Sequence, residues 1–410
     1  MNTLNHGKRA FGKFTKMSGN SVVIVGAKRT PIGCFQGMLK DMSCTSLGAA
    51  AARGAIEHAG IQPADVQEVF MGNVIQAGQG QAPDRQVALG AGCRVDIPST
   101  SINKVCASGM KSLMIGAAQI RLGTRDVVLT GGMENMSKLP HYIYLRKPTG
   151  YGHASAIDSI QFDGLTDVYN NILMGACVEK NCSEMGITRE AQDEYAIMSY
   201  NRAREAQEKG WFLDEIQILT EVDKKGKETQ IKDDEECKKF LPDKFAGLKP
   251  AFAKTGTITA ANASKINDGA AAFVLMSEDA AKARGLKPLA RILGYEDASV
   301  QPIDFAIAPA KACSSLLKQL GMNCSDIDFH EVNEAFSAVA LANIKLLDLD
   351  ITKVNVHGGA VALGHPIGMS GARIVMSLMN VLKRNNKSIG MASICNGGGG
   401  ASAVVIERLN

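Results

Sequence analysis

Asn103-Lys104-Val105-Cys106-Ala107-Ser108-Gly109-Met110-Lys111 sets one cysteine between a short polar run and the start of a helical pattern. Met110, Leu113, Met114, Ala117 and Ile120 recur at the three-to-four spacing of a helix face, and Gly123 supplies a C-cap. Cys106 is therefore expected at a helix N-terminus, where free N–H groups and the helix dipole favour the nucleophilic thiolate. The small Ala107, Ser108 and Gly109 let a ligand approach the backbone. A buried structural cysteine accounts for this stretch alone equally well.

The chain has 410 residues, 45% hydrophobic and 21% charged, enough for two or three domains around a large core. A net charge of +4, without a basic-aromatic patch, argues against nucleic acid. No apolar run approaches the ~18 residues that span a membrane. The 42 glycines exceed the usual share of about 7% and cluster late, as for tight turns around a ligand. Ten scattered cysteines form no C-x-x-C pair and no zinc spacing, which reads as a reducing compartment.

Residues 1–20 carry Lys8, Arg9, Lys13 and Lys16 with Phe11 and Phe14 and no acid, a leader suited to import into the mitochondrial matrix; a cytosolic tail is the alternative. The fold is expected to begin near Ser21. Val22 to Val25 reads as a strand buried on both faces, Ser46 to Ala59 as a helix, Val69 to Val74 and Asp126 to Thr130 as strands. This alternation predicts an α/β domain over 21–136. Residues 137–266 are more polar, hold Trp211 and a helix from Arg189 to Glu208, and read as an inserted loop domain. Its acidic run Asp233 to Glu236 is expected to be a solvated loop. Residues 267–288 return to the first domain, and α/β character restarts over 289–410. There, helices are expected over Ala308–Leu320, Phe336–Leu347 and Gly371–Lys383, and a strand over Ile327–Glu331. Two apolar runs, Ser388–Ile394 and Ala401–Ile406, flank the glycine-rich turn Cys395 to Gly400. Ser108-Gly109-Met110-Lys111 and Ser370-Gly371-Ala372-Arg373 each open a helix, a faint echo of a duplicated unit.

His365 lies between Gly364 and Pro366, a setting that fixes the backbone around an imidazole. Cys395 enters the four-glycine turn, whose N–H groups are free to meet an anion. Asn333 sits at a strand-to-helix junction and by itself reads as an N-cap. Together with Cys106 these residues fall at element ends, where open sheets place ligands. One thiol as nucleophile, an imidazole to activate it and a second thiol as acid/base form an acyl-transfer set.

At these stretches the chain resembles the thiolase family, through Asn-Lys-Val-Cys-Ala-Ser-Gly, Val-Asn-Glu-Ala-Phe, Gly-His-Pro-Ile-Gly-x-Ser-Gly-Ala-Arg and Cys-x-Gly-Gly-Gly in the family's order. Gln79 to Pro83, Gly164 to Tyr169 and Cys395 to Gly400 point to the biosynthetic, mitochondrial branch. The resemblance implies duplicated α/β domains in five αβαβα layers with an inserted loop domain. It implies an acyltransferase that reversibly condenses two acetyl-CoA to acetoacetyl-CoA and coenzyme A, or cleaves short-chain 3-ketoacyl-CoA. Cys106 would carry the acetyl group, His365 accept its proton and Cys395 act as acid/base. His365 with a water held by Asn333 would form one oxyanion hole, and the N–H groups of Cys106 and Gly397 the other. Coenzyme A is implied as substrate, with Tyr200, Lys239, Lys244, Phe252, Ser264, Ala335 and Phe336 around it. A potassium ion at Tyr200, Ala260, Ala261, Ala263 and Val361 is implied as well, as is a homotetramer built as a dimer of dimers. No metal or redox cofactor is implied for the chemistry.

Three positions depart from the branch's pattern. Leu173 stands where a histidine contacts the pantetheine arm, His357 where Asn-x-Asn-Gly-Gly has its second asparagine, and Ala306 where Asp-Phe-Pro has proline. Ala306 bears on 2-methyl-branched substrates and His357 on the loop of His365. The alternatives are a broad-chain 3-ketoacyl-CoA thiolase and a non-catalytic CoA- or lipid-binding protein on the same scaffold. A papain-like Cys–His hydrolase fits poorly, because the chain supplies a second thiol where that chemistry needs water.

Overall fold

Val22–Arg29 (β1) is buried on both faces, as an unbroken apolar run requires. Cys44–Ala59 (α1) follows, capped at Ser43, whose side chain accepts from Ser46 N–H, and ended by Gly60 at φ 69°. Next come Glu68–Gly72 (β2), Ser99–Ile102 (β3), Ser108–Arg121 (α2) and Val127–Asn135 (β4). Met174–Met185 (α3) and Arg189–Glu208 (α4) belong to the long connection that leads back to Asn267–Ser277 (β5). The second half runs Ala290–Ser299 (β6), Ala308–Leu320 (α5), Phe329–Val332 (β7), Ser337–Leu347 (α6), Ile367–Arg384 (α7), Ile389–Asn396 (β8) and Gly400–Arg408 (β9). The computed structural model describes residues 19–146, 150–222 and 225–410, so most of the expected leader lies outside the described residues.

The main strands form one ten-stranded sheet in the order β7-β8-β9-β6-β1-β5-β4-β2-β3, with Gly33–Cys34 beside β5. The halves join where β1 meets β6, at Val23↔Arg291 and Ile24↔Ala290. Each half repeats one plan. The first strand is antiparallel to the last, the last to a middle strand, and the middle strand is parallel to the next. Even the irregularity repeats: register shifts between Ile24 and Gly26 in β1 and between Ile292 and Gly294 in β6. A Cβ on Gly26 would lie 2.1 Å from the Ala55 carbonyl of α1, and one on Gly294 3.0 Å from Leu320 of α5. Both bulges let the outer helix close on the sheet.

Helices α2 and α7 lie between the two halves of the sheet and pack against each other, with α1 covering one outer face and α5 the other. This is the five-layer αβαβα arrangement. The central helices meet backbone to backbone: a Cβ on Gly371 would lie 2.6 Å from Met110 N, and one on Gly109 2.9 Å from Ala372 N.

The connection is fastened to the core by charge. Arg29 of β1 is fully buried, and its guanidinium spans Asp234 at 2.8 Å twice and Glu215 at 2.7 Å. Removing one partner of such a pair costs about 3–5 kcal/mol. The solvated loop expected at Asp233 to Glu236 is thereby corrected. Asp234 and Glu236 are buried, and Glu235 accepts from the N–H groups of Cys34 and Met38. The charges read as solvent-facing because their partners lie some 200 residues away in sequence.

Candidate active site

The turn carrying Cys106 is built by its neighbours. Asn103 accepts from Val105 N–H and donates to the Val74 carbonyl, and Ser108 Oγ accepts from Lys104 N–H and donates to the Val105 carbonyl. Val105 takes φ +48°, which turns the chain into α2. Lys104 Nζ reaches across to Asp297, the Ala401 carbonyl and Ser402 at 2.7, 2.9 and 2.8 Å, so the second half anchors the turn. The helix begins at Ser108, two residues past Cys106. Burial pushes the Cys106 thiol up to about 11, although the N–H groups of Gly397 and of Cys106 itself pull it down. The expected resting thiolate is thus corrected to a thiol: desolvation outweighs the helix end, and no cation sits beside the sulfur among the groups acting on it.

His365 follows Gly364, whose φ of +109° and closeness to the Asn267 side chain (2.5 Å from a Cβ) exclude a larger residue. Asn267 Oδ1 accepts from His365 N–H at 2.9 Å. Ring Nδ1 lies 2.6 Å from Ser370 Oγ. Nε2 is buried without a partner among the described residues, and burial, with Arg373 nearby, lowers the imidazole to about 3. The ring is therefore neutral.

Asn333 is buried, and both its side-chain polar atoms lack partners among the described residues. It is not an N-cap, since α6 starts only at Ser337; its backbone N–H instead donates to Ser393 of β8. Cys395 is in β8 opposite Ala401, fully buried, its thiol raised by desolvation and then by the field of Cys106. The turn proper is Gly397 to Gly399, with Cys395, Asn396 and Gly400 in strands.

Cys106, His365 and Gly397 line one cavity of about 240 Å³. Phe252, Ser264, Ala335 and Phe336, four of the expected coenzyme A contacts, line it too, as does Leu173. Cys395 packs in one apolar cluster with Met174, Phe305 and Phe336, which line the cavity. Tyr200 does not line the cavity: it stacks on Phe240 at 4.8 Å, beneath the lining residue Lys265, and Lys239 and Lys244 are exposed outside the cavity. The carbonyls of Ala263 and Val361, expected to hold potassium, do face one point. Lys265 Nζ stands there, 2.7 Å from Ala263 O, 3.3 Å from Val361 O and 5.6 Å from the Tyr200 ring centre. The residues present do not fit a potassium ion alongside that ammonium.

His357 does not crowd the catalytic loop. It is buried against Trp211 at 4.8 Å and Phe212 at 6.3 Å, and burial lowers it to about 4. Ala306 is buried, and its carbonyl accepts from Asn343. Sequence reasoning missed the supports. Glu134 accepts from the N–H groups of Val74, Ile75 and Gly368 and from Asn73, and Glu334 from Tyr195, Ser199, Asn355 and Val361 N–H. The signal for Ser370 was at hand, a hydroxyl in the first turn after the histidine.

Comparison with known proteins agrees with this layout. Residues 22–279 match the family described as Thiolase, N-terminal domain, and residues 286–408 match Thiolase, C-terminal domain. The chain is 55% identical over 397 residues, 96% of its length and 93% of the relative's, to a mitochondrial acetyl-CoA acetyltransferase of Rattus norvegicus. It is similar to the crystal structure of a thiolase from Ascaris suum in complex with coenzyme A (TM-score 0.90, 44% identity, 95% of this chain and all of that one). It is also similar to that of the Bacillus anthracis acetyl-CoA acetyltransferase (TM-score 0.93, 42% identity, 96% and 100%).

Proposed function

The chain belongs to the thiolase family, and we propose that it works as an acetyl-CoA acetyltransferase of the mitochondrial matrix. It joins two acetyl-CoA to acetoacetyl-CoA and coenzyme A, or cleaves that product with coenzyme A. The observation that carries the reading is the meeting of Cys106, His365 and Gly397 in one cavity, with Cys395 close enough for its thiol to feel Cys106.

In the cleaving direction Cys106 attacks the keto carbonyl and its proton passes to Nε2 of His365. The shifts on both groups oppose an ion pair at rest, so this proton moves as the carbon–sulfur bond forms. The carbon–carbon bond breaks, and the departing enolate takes the proton of Cys395, whose raised thiol keeps it available. Coenzyme A then attacks the acetyl-Cys106 thioester. Its thiol proton restores Cys395, and His365 returns the first proton to Cys106. The newly made Nε2–H and a water held by Asn333 stabilise the enolate oxygen, and the N–H groups of Cys106 and Gly397 stabilise the oxyanion over the acyl-enzyme. Condensation is the reverse.

Residues 137–266 serve as the inserted coenzyme A-binding domain, with Phe252 and Ser264 toward the pantetheine. Lys239 and Lys244, both exposed, are the cations assigned here to the nucleotide phosphates. A homotetramer is supported by Ile143, Tyr144 and Leu145, consecutive apolar side chains that are each more than half exposed. The deciding experiment is acetoacetyl-CoA thiolysis by wild type and Cys106→Ala, with mass spectrometry of the quenched enzyme. Turnover that vanishes in the variant, and acetyl found on the Cys106 peptide, are expected. Turnover surviving in the variant would overturn the mechanism.

A further inference from the structure

We propose that Lys265 is a built-in cation that takes the place of a potassium ion between the coenzyme A loop and the catalytic loop, so that this enzyme needs no potassium. The ammonium donates to the Ala263 carbonyl at 2.7 Å and lies 3.3 Å from that of Val361, with Tyr200's ring beneath it. Three N–H donors on one compact charge suit such a set of carbonyls. Burial lowers Lys265 to about 8, which leaves it mostly an ammonium at neutral pH, and the carboxylates of Glu236 and Glu334 favour that charged form. A second cation at the same carbonyls would meet a like charge at contact distance.

The placement matters because of what it joins. Ala263 adjoins Ser264, whose N–H and hydroxyl both bond the Ala335 carbonyl beside the cavity. Val361 belongs to the short helix Ala360–Leu363, which runs into Gly364 and His365. Lys265 is therefore a positioning residue: it ties the wall that receives the pantetheine to the loop that aims the imidazole.

The proposal rests on the reading above for its kinetic arm and on a melting temperature otherwise. Thiolysis and thermal unfolding are compared in KCl and NaCl at equal ionic strength, for wild type, Lys265→Ala and Lys265→Met. Wild type is expected to give the same KM for coenzyme A and the same Tm in both salts. Lys265→Ala opens the carbonyls: its KM should rise about tenfold in NaCl with kcat less affected, and KCl should restore both KM and Tm. Lys265→Met fills the space without charge and should stay raised in both salts. A wild-type KM or Tm that responds to potassium overturns the proposal, as does Lys265→Ala indistinguishable from wild type in NaCl. The wild-type comparison decides even if a variant does not fold, and the Tm comparison decides even if wild type turns over nothing.

Discussion

Oγ of Ser370 stands 2.6 Å from Nδ1 of His365 and gives its own proton to the Pro366 carbonyl 2.8 Å away. With that proton spent, the hydroxyl oxygen can only accept from the ring. Nδ1 therefore carries the hydrogen, and the lone pair is left on Nε2, facing the cavity.

Ser370→Ala removes this control of the tautomer. Its kcat for acetoacetyl-CoA thiolysis should fall about tenfold to a hundredfold, with KM nearly unchanged, because the contact touches no substrate. Steady-state kinetics test this, and an unaltered kcat would end the assignment.

The Cys106 thiol, raised to about 11, is mostly protonated at neutral pH. Its alkylation by iodoacetamide, followed peptide by peptide, should climb about tenfold per pH unit from neutrality upward. A plateau below pH 9 would mean that a thiolate already exists in the resting enzyme.

The cavity's wall of Phe252, Phe305, Phe336, Met136 and Leu165 leaves about 240 Å³. Large side chains around so small a space are expected to disfavour a long acyl chain. The kcat/KM for 3-ketohexadecanoyl-CoA should be at least about a hundredfold below that for acetoacetyl-CoA. Equal values would restore the broad-chain reading.

Gly371→Ala drives a methyl to 2.6 Å from Met110 N, whereas Gly397→Ala meets nothing nearer than Val105 at 3.5 Å. The first should cost about 1–3 kcal/mol in chemical denaturation and the second under about 0.5. A reversed order would contradict the crossing of α2 and α7.

Much of this was legible in the sequence because the chemistry sits where periodicity changes. Cys106, His365 and Cys395 each stand at the edge of a helix or strand pattern, and turns with their glycines leave local marks. What stayed hidden is set by distant partners. The acids near Asp234 read as solvated because nothing local reveals Arg29. Asn333 read as a cap because its true neighbour, Ser393, comes from another strand. Lys265 read as nothing at all, since a lysine after Ser264 shows its meaning only once Val361 is brought beside it.

The middle layer makes the two halves interdependent. A single half of this chain, with one sheet and one of the two central helices, would present a long apolar face with a glycine seam to water. Such a unit is stable only when a second copy covers that face. The repeated bulges at Gly26 and Gly294 mark the two halves as one plan used twice, each the cover of the other. Cys106 and His365 stand in opposite halves across that seam, so neither half carries the reaction alone. Separately expressed halves that bind each other and regain thiolysis on mixing would bear this out, and halves that stay soluble and monomeric would refute it.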